Sequence, residues 1–72
     1  MIIRGKYYSG LSRFKQFAPG RYFVERGSLT YRIEGGKHLG GSSKDWFLSG
    51  PYIDGDIQCS SIADALKVLD NL

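Results

Sequence analysis

A single cysteine, Cys59, and a single histidine, His38, leave this chain with little of the material that site chemistry usually needs. One thiol excludes an internal disulfide framework and fits a reducing compartment. Two Cys and His residues in total fall short of the ligand set of a structural zinc site, so no metal is expected. No apolar run approaches the roughly eighteen residues that cross a bilayer, so no membrane partner is expected. The opening Met1–Lys6 lacks the apolar core of a secretion signal, and a cytoplasmic location is the expectation. Repeats of twenty to fifty residues and coiled-coil heptads are also absent.

Nucleotide and calcium motifs fail on their details. Gly35–Lys44 is glycine-rich, but Lys37 is followed by His38 where a phosphate-binding loop needs Ser or Thr leading into a helix. Asp54 and Asp56 stand two apart like the start of a calcium loop, yet Ile57, Gln58 and Cys59 follow where further ligands belong. Gly20–Glu25 meets the aromatic RNA-reading strand of RRM domains only at Gly20, Phe23 and Val24, so that signature is absent too. Cofactors are therefore not expected. Cys59 stands just before a helical segment whose dipole lowers a thiol pKa, but it reads more simply as a small hydrophobe under that helix. His38 lies in a distant loop, and no catalytic pair emerges. An enzyme is not expected.

Rings and cations are what the chain does have. Aromatic residues make up 14% of the 72, with five Tyr, four Phe and one Trp, so large rings must supply much of the core. A chain of this length forms one domain, residues 1–72, and buries only about 60% of its unfolded surface. The net charge of +3 is unevenly spread. Residues 1–44 hold nine Lys and Arg against Glu25 and Glu34, whereas residues 45–72 hold Lys67 against five aspartates. Such asymmetry points to an electrostatic partner or to internal pairing.

The strongest local signal is a hairpin over residues 21–34. Two runs rich in aromatic and β-branched residues flank Gly27-Ser28, a pair suited to a type II′ turn. That turn sets Arg26 opposite Leu29, Val24 opposite Tyr31 and Tyr22 opposite Ile33 on an apolar face. The other face then pairs Glu25 with Thr30, Phe23 with Arg32 and Arg21 with Glu34.

Ile2–Tyr8 reads as a further strand, and Asp45–Ser49 as another. Leu11, Phe14 and Phe17 recur every three residues, which suggests a short helical turn ended by Pro19-Gly20. The glycines and serines of residues 35–43 suggest a mobile loop, and residues 50–56 a turn-rich connection. Residues 61–72 place Ile62, Ala65, Leu66, Leu69 and Leu72 on one helical stripe, with Ser61 as cap. The expected fold is α+β: a small antiparallel sheet of three to four strands around the 21–34 hairpin, covered on one face by a single C-terminal helix.

If the first strand joins the hairpin, the uncovered face displays Arg4, Lys6, Tyr8, Arg21, Phe23 and Arg32. Cations interleaved with rings suit nucleic acid, because the charges release counterions and the rings stack on bases. The leading expectation is a small non-enzymatic binding module that contacts nucleic acid through this face. The alternative is a protein-binding accessory or regulatory factor, inhibitor-like, acting through a sheet edge or as a homodimer.

Overall fold

In the computed structural model, which describes Met1–Leu72, the elements run in the order β1 (Ile2–Ile3), β2 (Lys6–Tyr7), β3 (Arg13–Ala18), β4 (Arg21–Arg26), β5 (Leu29–Gly35), a 3₁₀ turn (Lys37–Leu39), β6 (Trp46–Ser49), β7 (Ile57–Cys59) and α1 (Ile62–Asp70). The architecture is α+β, with β3 to β7 forming one antiparallel five-stranded sheet in sequence order. No helix is long and apolar enough to cross a membrane.

The centre of the sheet follows the turn chemistry. Gly27 takes a positive φ of 64°, as the first position of a II′ turn requires. All six expected β4–β5 pairs form, from Arg26 opposite Leu29 to Arg21 opposite Glu34. Because opposed residues share a face, Tyr22, Val24, Tyr31 and Ile33 all enter the core. Leu48 of β6 and Cys59 of β7 extend that face outward.

Helix α1 covers it. Ser61 caps the helix by accepting a hydrogen bond from the Asp64 backbone N–H at 3.0 Å. Asp64 reaches back to the backbone N–H of Ser60, one residue beyond the N-cap position that a reciprocal capping box uses. Ile62, Ala65, Leu66 and Leu69 are buried in the same cluster as the sheet residues. The helix lies closest to β6 and β7 rather than over the β4–β5 hairpin.

Three expectations are corrected. The segment expected as a helical turn is the edge strand β3, paired with β4 from Arg13 opposite Glu25 to Ala18 opposite Arg21. The period of two in a strand explains the misleading spacing, because residues three apart point to opposite faces. Phe14 faces inward and stacks on Tyr22 at 5.2 Å, whereas Phe17 faces outward and stacks on Phe23 at 5.5 Å. A bulge between Gln16 and Ala18 then brings Ala18 beside Arg21 on the outer face.

Second, Ile2–Tyr8 does not add a strand to the main sheet. Arg4 (φ 53°) and Gly5 (φ 84°) make a tight turn that folds β1 back on β2 as a separate two-stranded hairpin. Its Ile3, with Tyr8 and Leu11 beyond it, joins the main core. Third, the sheet has five strands rather than three or four, because β3 and the short β7 were not expected as strands.

Candidate nucleic-acid interface

The sheet face turned away from α1 is built from registers alone. Lys15 lies opposite Phe23, Phe23 opposite Arg32, and Arg32 opposite Ser49, one row across β3 to β6. The next row runs Ala18, Arg21, Glu34, Phe47 and Gln58 across all five strands. Arg13, Glu25 and Thr30 form a third. Neighbouring strands lie about 4.8 Å apart, so adjacent members of a row are in contact range.

Charge on this face is partly neutralised, and unevenly. The chain's two ion pairs both lie here: Arg13 with Glu25 and Arg21 with Glu34, each at 3.7 Å. Both pairs are exposed enough to contribute little to stability. Lys15 and Arg32 have no acidic partner. They flank Phe23, which is half-buried and also carries the Arg13 guanidinium 5.6 Å from its ring centre. Phe17 and Phe47 stand on either side, 44% and 40% exposed. These rings leave apolar surface in water beside the two cations that lack acidic partners.

The six residues expected at the site separate into two groups. Arg21, Phe23 and Arg32 do share the outer face, with Arg21 3.7 Å from Glu34. Arg4, Lys6 and Tyr8 do not join them. Tyr8 is buried, Arg4 lies over the inward-facing Tyr22 ring at 5.8 Å, and Lys6 lies 5.7 Å from the Tyr8 ring centre. The hairpin turn at Arg4–Gly5 places all three on the core side of the sheet. Arg13, Lys15 and Phe17 take their place, and their alternation at positions 13, 15 and 17 is the strand signal that could have found them. Phe47 had a similar signal, standing between the inward-facing Trp46 and Leu48.

A cavity of about 320 Å³ adjoins the second row. Arg21, Glu34 and Phe47 supply its sheet side, Leu39 and Asp45 its loop side, and Asp56 comes from the β6–β7 connection. The loop expected to be mobile is tied here at its base. Gly36 donates to the Asp45 carbonyl at 2.8 Å, Gly41 to the Gly36 carbonyl at 3.2 Å, and the Trp46 indole to the Ser43 carbonyl at 3.1 Å.

The Asp45 carboxylate accepts from the Ser42 backbone N–H at 2.8 Å, and the Ser42 backbone and hydroxyl hold its carboxyl below the usual range. Its folded value therefore lies under the unfolded value of about 3.9. The tie is complete above that value and is lost as pH falls through the lower, folded one. The Ser42 amide proton should keep its chemical shift down to about pH 4 and move only below it in an NMR titration. A midpoint at or above the ordinary value of about 3.9 would show that the tie is absent.

Cys59 is not activated. Burial pushes its thiol up and the Asp64 carboxylate adds to the effect, the reverse of what a nucleophile needs. It is buried on β7, behind α1. No known protein family, curated protein or solved structure matches the chain, so geometry carries the functional argument alone.

Proposed function

We propose that this protein is a small binding module whose outer sheet face holds single-stranded nucleic acid. The observation that carries the proposal is the Lys15–Phe23–Arg32 row, a ring flanked on adjacent strands by two cations without acidic partners. Such a row offers a stacking platform between two phosphate contacts. Phe17 and Phe47 extend the platform to both sides. A duplex fits less well, because its major groove admits a helix or a two-stranded ribbon rather than a broad sheet.

A protein strand adding to the β3 edge is the competing reading. Arg13, Lys15 and the bulge guard that edge, as charges and bulges generally do against strand addition. This weighs towards nucleic acid.

The test is equilibrium binding of the chain to oligo-dT and oligo-U across a salt series. Lys15→Gln with Arg32→Gln should lower the log–log salt slope by about 1.4, two phosphate contacts at about 0.7 each on a single strand. Phe23→Ala should weaken binding by about 1–3 kcal/mol and leave the slope unchanged, since stacking releases no counterions. Lys67→Gln, on the exposed side of α1, is the control and should bind like the parent. Absence of binding at low salt to both oligomers would overturn the proposal, as would unaltered binding by all the face variants.

A further inference from the structure

We infer that the cavity beside the face receives one unstacked guanine of the bound strand, an inference that rests on the single-strand reading above. The cavity opens where the Arg21–Glu34–Phe47 row meets the loop after β5 and the connection before β7. At about 320 Å³ it stands at the low end of ligand pockets, a size for one flat heterocycle rather than a folded ligand. Its only apolar side chains are Leu39 and Phe47, each about two-fifths exposed, so a ring can stack on Phe47.

The charges divide the labour between face and cavity. Glu34, Asp45 and Asp56 line the cavity against Arg21 alone, so a phosphate is repelled there and stays on the Lys15 and Arg32 row. Only the base end of a nucleotide is then welcome inside. Asp45 is already engaged by Ser42. Asp56 forms no ion pair, and Glu34 sits 3.7 Å from Arg21, beyond hydrogen-bond length, which leaves both groups free to bond elsewhere.

Guanine is the base that matches this set. On its Watson–Crick edge N1–H and N2–H stand side by side and can both donate to one carboxylate, a bidentate arrangement. On its other edge O6 and N7 are adjacent acceptors that suit a guanidinium. Adenine, cytosine and uracil each set an acceptor beside their single donor group on that edge. That acceptor would meet the second carboxylate oxygen and be repelled.

The experiment compares the chain's affinity for an eight-residue uridine strand with strands carrying one central guanine or one central adenine, and repeats the set in the thymidine series. One guanine should tighten binding about ten-fold or more, the usual scale of a bidentate base contact, and adenine should not. Asp56→Asn should remove most of the guanine gain while the uridine and thymidine strands still bind as before. Phe47→Ala should remove that gain and also weaken the uridine strand, because Phe47 belongs to the platform as well as the cavity. Both residues are exposed, and unchanged melting checks that the variants fold. Binding without guanine preference, or a preference that survives both substitutions, overturns the cavity assignment and leaves the face reading standing. No binding to any strand overturns both.

Discussion

Leu66→Ala should lower the stability of this protein by about 2–5 kcal/mol, the usual cost of truncating a buried leucine. Leu66 is 0% exposed on α1 and sits in one cluster with Val24, Tyr31, Ile33, Leu48 and Leu69. Its removal withdraws apolar contacts and leaves a cavity that a short helix anchored at one end by Ser61 can close only in part. A domain of this length has about 4–11 kcal/mol of stability in all, so a large share is at stake. Chemical denaturation should show the midpoint falling with an unchanged slope. Leu72→Ala, at a residue 51% exposed and beyond the helix, is the comparison and should shift little. If the two variants unfold together, α1 does not hold the sheet face.

Legibility in the sequence followed the range of the interaction. The β4–β5 hairpin was readable residue by residue, because a two-residue turn led by Gly27 determines its own register. Helix α1 was equally readable from the spacing of Ile62, Ala65, Leu66 and Leu69. Strand β3 was not, because the simple alternation of a strand sends Phe14 and Phe17 to opposite faces at a spacing that imitates a helix. Strand β7 is three residues long behind a run of turn formers, too short for any period to show.

The candidate interface divides along the same line. Arg21, Phe23 and Arg32 were found because their common face depends only on the hairpin turn. Lys15, Phe17 and Phe47 depend on which strands flank the hairpin, a tertiary choice that local pattern does not encode. The same choice moved Arg4, Lys6 and Tyr8 to the core side, where their rings and cations cover one margin of the core instead of a ligand. The cavity is less legible still, since it joins residues from β4, β5, β6, the loop after β5 and the connection before β7.

Gly35→Ala should be among the most damaging single changes in the chain, although it adds only one methyl group. Gly35 ends β5 at φ 147°, in the region that favours glycine, and is buried against the start of β6. A Cβ built there lies 2.2 Å from the Asp45 carbonyl oxygen and 2.9 Å from the Trp46 Cα. Both are backbone atoms, so no side chain can swing aside. Retreat is also blocked, because the Gly35 N–H donates to the Gly20 carbonyl at 2.9 Å and the Gly36 N–H donates to that same Asp45 carbonyl. Overpacking costs about 1–3 kcal/mol and a strained backbone about as much again, so a loss of about 3 kcal/mol or more is expected. Gly40→Ala is the milder comparison. Gly40 also has a positive φ, 83°, but nothing lies within 4 Å of its Cβ position. It should lose only the left-handed backbone term of about 1–2 kcal/mol. The excess of Gly35→Ala over Gly40→Ala then combines the clash with β6 and the greater backbone strain at φ 147°, a region almost reserved for glycine. That crossing also forms one wall of the cavity, so whatever folded fraction of Gly35→Ala remains should bind uridine strands through the cationic row and show no guanine preference. If Gly35→Ala costs no more than Gly40→Ala, the strands pass each other more loosely than their register demands, and the cavity loses the rigid wall on which base selection depends.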